Sequence, residues 1–272
     1  MSVATATRTP QAGARRRVPD SVLGLAGLAG VAVLFELVPR VGLVDERYLP
    51  PASVTATALA ELVSDAAFWQ ALTSTLLGWA LGLAIATVAG VVLGIVIGSV
   101  PALRAATNST IEFLRPIPSV ALIPLAVLLF GADLRSTLIL VVYASFWQVL
   151  VQVLYGVADV DPVARDTARS YRFSALSQVR TVIWPTALPY VMTGFRLAAA
   201  VALILEITGE LIIGSPGLGN AIATAQSSGA VATMYALVVV TGLLGVGVNV
   251  LVRRTERRVL RWHPSVRREV AA

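Results

Sequence analysis

Apolar residues fall along this chain in long blocks separated by short polar intervals. The first block runs from about Val22 to Val38, and the second lies within Ala71 to Val100. A third covers about Ile111 to Phe130, interrupted by Pro116, Pro118 and Pro124, and a fourth runs from about Thr137 to Tyr155. The fifth reaches from about Tyr190 to Ile213 and the last from about Val231 to Val252. Roughly 20 mostly apolar residues carry a helix across the hydrocarbon of a bilayer. The pattern therefore predicts an all-α, polytopic membrane bundle of about six transmembrane helices. The first block follows Arg15, Arg16 and Arg17, as the apolar core of a signal peptide would. It ends, however, in Glu36-Leu37-Val38-Pro39-Arg40, which offers no small-residue cleavage site, and is read as the first span.

The intervals between blocks carry their own signals. Pro50-Pro51 should break helix, and Ser53 is placed to cap a short surface helix reaching toward Val63. Inside the second block Gly78, Gly82, Ala86, Gly90, Gly94 and Gly98 recur at every fourth position. At 3.6 residues per turn that stripe drifts about 40° per step, and its small residues let another helix backbone approach closely. After the fourth block, Asp161-Pro162 is a helix start, with aspartate able to cap free N–H groups and proline suited to the first helical position. Residues 163–171 would fill about two and a half turns. Ala164 and Ala168 would share one face, and Arg165 and Arg169 the next. Ser174 is placed to cap a second short helix through Val182, with Trp184-Pro185 ending it and Pro189 opening the fifth span. Two such helices would make a compact knob below the membrane. The charge-free stretch from Gly214 to Ala230 reads as a loop, with a re-entrant turn at Gly214-Ser215-Pro216-Gly217-Leu218-Gly219-Asn220. A phosphate-cradling loop would need a preceding strand and a basic residue, and neither is present.

Composition strengthens the membrane reading. Hydrophobic residues make up 57% of the 272 positions, charged residues 13%, and mean hydropathy is +0.81, whereas soluble domains carry about 25% charged residues. Cysteine is absent and His263 is the single histidine, which excludes disulfides, thiolate chemistry and an imidazole-rich metal centre. No catalytic, cofactor-binding or metal site is expected. The net charge of +6 is carried by arginine alone, and its placement argues against a nucleic-acid partner. Seventeen arginines lie before the first span, between the second and third or at the start of the third (Arg104 and Arg115), between the fourth and fifth, and after the sixth; Arg40, Arg47 and Arg135 lie on the other side and Arg196 within a span. Arginine bias toward the cytosol then predicts a multi-pass protein of the plasma or inner membrane with both termini cytosolic. Glu206 and Glu210 lie four apart in the fifth span. Ionisable groups at that depth face a bundle interior or water, so both are candidates for a pathway or gate, or for pairing with Arg196 or a neighbouring helix. No arginine cluster lies in the spans to favour anions.

Asp166-Thr167-Ala168, then Arg172, then Val182-Ile183-Trp184-Pro185 resembles the "EAA" loop of binding-protein-dependent ABC transporter permeases. The family pattern is Glu-Ala-Ala, three residues, Gly, nine residues, Ile, one residue, Leu-Pro, and every interval matches. Identities differ at Asp166, Thr167, Arg172, Val182 and Trp184. Arg172 stands where glycine would permit a left-handed turn, so a strained or differently angled turn is expected. Tyr48-Leu49-Pro50-Pro51, Arg115-Pro116-Ile117-Pro118-Ser119, Ala121-Leu122-Ile123-Pro124-Leu125, Phe130-Gly131, Gly217-Leu218-Gly219 and Arg261-Trp262-His263-Pro264 are similar to the nitrate/sulfonate/taurine branch. The resemblance implies a type I ABC importer permease fold. It also implies a cytosolic tail (1–21), a permease domain (22–252) whose coupling loop (156–189) docks in a separate cytosolic ATPase, and a basic tail (253–272). The partners it implies are the ATPase, an extracytoplasmic solute-binding protein, a second permease copy and membrane lipid. The coupling residues would include Asp161, Pro162, Ala164, Arg165, Asp166, Thr167, Ala168, Arg169, Arg172, Val182 and Pro185. An ion-gradient-driven secondary transporter is the alternative; such proteins often show paired broken helices in two repeated halves, and no such repeat is evident.

Overall fold

The computed structural model describes residues 20–262, and every regular element among them is helical. Arg8, Arg15, Arg16, Arg17, His263, Arg267 and Arg268 lie outside the described residues. The chain divides into two compact units, Met1–Val54 and Thr55–Ala272. In the first, α1 spans Asp20–Arg40. Its Glu36 carboxylate pairs with Arg40 and accepts hydrogen bonds from the Ser53 N–H (2.9 Å) and hydroxyl (3.0 Å). Ser53 is thus not a cap. It sits one residue inside α2 (Ala52–Val63), and a carboxylate from α1 satisfies its free N–H instead.

The second unit is built on α3 (Ala66–Ser99), α6 (Leu134–Ala158) and α9 (Trp184–Ile213). Asp65 caps α3 through the Ala67 N–H and Asp133 caps α6 through the Arg135 N–H. Gly82, Gly90, Gly94 and Gly98 of the α3 stripe lie against α6, and Gly78 against Glu206 of α9. A Cβ at Gly82 would crowd Val141, one at Gly90 Val149, one at Gly94 Val153 and one at Gly98 Val157. Both ridges step mainly by four residues, so glycine grooves receive valine knobs along about 24 Å of helix at 1.5 Å per residue. Leu140, Val149, Val153, Val157, Ala198, Ala202 and Leu203 form the buried centre of this core, joined by Val248 and Val252 of α11 (Val231–Val259). The opposite face of α3 leaves Leu77, Leu81, Ile85, Val88 and Val92 exposed, as expected of a helix solvated by lipid.

Three expectations need correcting. The third apolar block is not one helix. It begins in the last turn of α4 (Pro101–Leu114), breaks, and resumes as a 3₁₀ turn at Ser119–Leu122 leading into α5 (Ile123–Phe130), with an 83° bend. Pro116 and Pro118 cannot donate the ladder bonds that would carry helix through. The stretch from Gly214 to Ala230 is not all loop, since α10 occupies Leu218–Ser227. Nor do Trp184-Pro185 end a helix. From α8 (Ala175–Gln178) the chain continues through a π turn, Val179–Ile183, directly into α9, and Pro189 lies inside it. In the π turn the Trp184 N–H reaches back five residues to the Val179 carbonyl. That widening makes room for a proline ring that a regular turn would exclude. Four helices (α1, α3, α6 and α11) are long and apolar enough to cross a bilayer singly. The count is six if each bent pair, α4 with α5 and residues 175–213 with α10, makes one crossing.

Candidate functional site

Two constellations draw together the residues singled out in the sequence. The first is the knob after α6. Asp161 caps α7 (Pro162–Ser170) by accepting from the Val163 N–H at 2.8 Å. At the other end Arg172 adopts φ +56°. Its N–H bonds to the Arg169 carbonyl (2.9 Å), and the Phe173 N–H bonds back to the Ala168 carbonyl (3.0 Å). This is the Schellman closure that glycine usually provides. Of the two expectations, a strained or a differently angled turn, the structure has the first: the backbone keeps the left-handed turn, and arginine bears the steric cost.

The faces of α7 also differ from expectation. Ala168 is buried at 4% exposure, whereas Ala164 is exposed; α7 packs on the π turn. Arg165 is not free for a partner. Its guanidinium donates to the Val157 carbonyl at the end of α6 (3.1 Å), pinning α7 to the core. Arg169 faces Asp166 at 3.5 Å, both well exposed. Thr167 donates to the Val163 carbonyl within α7. Ser174 caps α8 through the Ser177 N–H, Gln178 donates to the Phe173 carbonyl, and Tyr190 donates to Asp159 (3.0 Å), tying α9 to the last residue of the α6 cap. The result is a knob braced from three sides. Val182 and Pro185 belong to the rod that continues into α9.

The second constellation is at the opposite end of α9. Glu206 and Glu210 are almost completely buried, at 1% and 0% exposure. Arg196 pairs instead with Glu256 of α11 at 3.5 Å, so the pairing considered for it is not made. Glu210 accepts the Gly219 N–H (2.8 Å) and the Thr75 hydroxyl (3.0 Å), while the Thr75 oxygen accepts the Leu218 N–H (2.9 Å). Together they satisfy the first N–H groups of α10, the groups every helix leaves unpaired. A Cβ at Gly217 would overlap the Glu210 carboxyl, and one at Gly219 would run into the Ile207 carbonyl. These glycines are there because α10 begins against α9 at backbone distance. Ser215 and Thr137 share a 2.8 Å hydrogen bond beside them. Glu206 fills the space above Gly78, and its Oε2 has no hydrogen-bond partner among the described residues. Thr75, Thr137 and Ser215 were not singled out from the sequence; a lone hydroxyl in or beside an apolar block carries no periodic signal.

Residues 86–261 match the family described as binding-protein-dependent transport system inner membrane component. The chain belongs to this family. It is 31% identical over 240 residues to a putative aliphatic sulfonates transport permease protein of Escherichia coli (strain K12), covering 87% of this chain and 90% of that one. It is 30% identical over 249 residues to a taurine transport system permease protein of the same strain, covering 90% of each. Among solved structures, an inward-facing form of the MetNI methionine ABC transporter aligns with TM-score 0.56 at 20% identity, over 70% of this chain and 93% of that one. As a binding-protein-dependent permease the chain is a multi-pass membrane subunit of an ABC importer. It transports rather than catalyses, and works with an ATPase and a solute-binding protein on other chains.

Proposed function

We propose that this permease forms a homodimer in lipid, with both termini in the cytosol, and passes a small sulfonate-, taurine- or nitrate-like solute between its two copies. The knob from Asp161 to Pro185 is its coupling element toward the ATPase. The observation that carries this reading is the closed left-handed turn at Arg172, on the arginine-rich side, at the position the family pattern gives to glycine. Pro162, Ala164, Asp166, Thr167 and Arg169 lie on α7 as the outward part of the knob. Ala168, Arg165 and Val182 hold it together, so force applied to α7 reaches α6 through Arg165 and α9 through the unbroken rod from Ala175. A rigid lever transmits displacement that a flexible loop would absorb. Glu210 holds the α10 turn at the other end of the same helix, which makes α9 the link between the two ends.

The absence of native cysteine allows a direct test. Ala164→Cys, exposed on α7, should cross-link to the ATPase in membranes holding the full complex, with a yield that changes on adding ATP. Trp69→Cys, exposed near the start of α3, should give no such product. Equal yields from both positions would remove the docking assignment.

A further inference from the structure

A cavity of about 250 Å³ opens at the break between α4 and the 3₁₀ turn. Its polar lining comes from Arg115 and Ser119 at the break and from Tyr143, Trp147 and Gln148 of α6; Val201 and Leu205 of α9 supply an apolar wall. At 1.5 Å per residue Trp147 lies roughly 20 Å from the start of α6 and roughly 17 Å from its end, so the cavity sits near mid-depth of the bundle. Non-helical backbone at that depth is tolerated where it is buried in protein or lines an aqueous cavity. The broken segment fits that rule: the Tyr143 hydroxyl satisfies the Leu114 carbonyl at 2.6 Å, and the chain then turns along the cavity wall.

The chemistry of the lining is one-sided. Trp147 is 7% exposed, and its Nε1–H has no acceptor among the described residues. Arg115 makes no ion pair there, and neither the Ser119 hydroxyl nor the Gln148 amide has a hydrogen-bond partner among the described residues. No carboxylate lines the cavity. These four donors line the cavity with no acidic partner among the described residues; Arg115 is exposed and Ser119 and Gln148 are half-buried, and it is the buried Trp147 N–H whose missing acceptor is costly. Guanidinium matches the planar edge of an oxyanion with two parallel bonds. The volume equals that of about eight waters at roughly 30 Å³ each, enough for a small organic anion and part of its shell.

We infer that this cavity is a mid-membrane binding site for a small oxyanion of the sulfonate or nitrate class, with Arg115 as its charge partner and Trp147, Gln148 and Ser119 as directional donors. The inference rests on the importer reading only in taking the bound ion to be cargo. It explains how an anion could pass a bundle that carries no arginine cluster: one guanidinium at a helix break suffices.

Two measurements on the full permease–ATPase complex test it separately from that reading. Adding ethanesulfonate should change the intrinsic tryptophan fluorescence of the native complex, and the change should vanish in Trp147→Phe. Uncharged dimethyl sulfone should produce no change in either. No response in the native complex, or an equal one in Trp147→Phe, overturns the site. In proteoliposomes with the solute-binding protein, Arg115→Gln should raise the KM for ethanesulfonate import by about tenfold or more, and Arg115→Lys should recover most of it. Both variants should co-purify with the ATPase. Import that is indifferent to Arg115 contradicts the site even if the importer reading stands. Fluorescence binding without any ATP-driven import leaves the site standing and removes the cargo assignment.

Discussion

At the scale of single residues, Arg172 and Glu210 hold backbone turns that their local sequences alone would not close. A left-handed conformation costs an L-residue roughly 1–2 kcal/mol relative to glycine, and Arg172 bears that at φ +56°. Arg172→Gly should therefore stabilise the knob by about 1 kcal/mol, slowing hydrogen exchange of the Phe173 amide by about fivefold. A β-branched residue there should speed exchange instead, because left-handed geometry excludes its second γ-branch. At Glu210, replacement by Ala leaves the Gly219 N–H without its acceptor inside the bundle and the Thr75 hydroxyl with only the Ala71 carbonyl. The expected cost is about 1–3 kcal/mol, visible as faster exchange over residues 217–221. Glu210→Gln keeps an acceptor oxygen and should show a smaller effect. Ala164 and Ala168 separate docking from folding. Ala168→Glu puts a charge into a buried site and should unfold the knob, whereas Ala164→Glu should leave Phe173 protection intact and weaken only ATPase co-purification.

At the scale of elements, the contact between α3 and α6 is the central packing interaction. A Cβ at Gly90 would come within 2.8 Å of Val149 Cβ and 3.2 Å of the Leu150 N, so backbone has to move. Gly90→Val should destabilise the purified permease by about 1–3 kcal/mol or more, read as a lower thermal midpoint in detergent. Gly247→Val on α11, with nothing within 4 Å, should leave the midpoint unchanged. The stripe itself was legible in the sequence because it is periodic, and so were the caps at Asp161 and Ser174, which depend on residues two or three positions away. The π turn was not legible. Trp184-Pro185 reads as a helix end by local rules, whereas the widened turn before it buries Ile183 and packs against α7, contacts that lie outside the local sequence. Glu210 was legible as a buried carboxylate, but not its partners: Thr75 is 135 positions away and gives no local sign of meeting α10.

At the scale of the whole permease, α8, the π turn and α9 make one rod of 39 residues, Ala175 to Ile213, with the knob proposed to face the ATPase at one end and the Glu210 turn at the other. The arginine bias, the family pattern and the braced knob support the proposal that energy enters at the knob, with no ion gradient required. The most direct test of that claim is solute uptake into proteoliposomes holding the permease, its ATPase and its solute-binding protein. Uptake of a small sulfonate should start with ATP, stop when the ATPase is omitted, and continue unchanged when an ionophore dissipates ion gradients. Uptake that persists without the ATPase and collapses with the ionophore would contradict it.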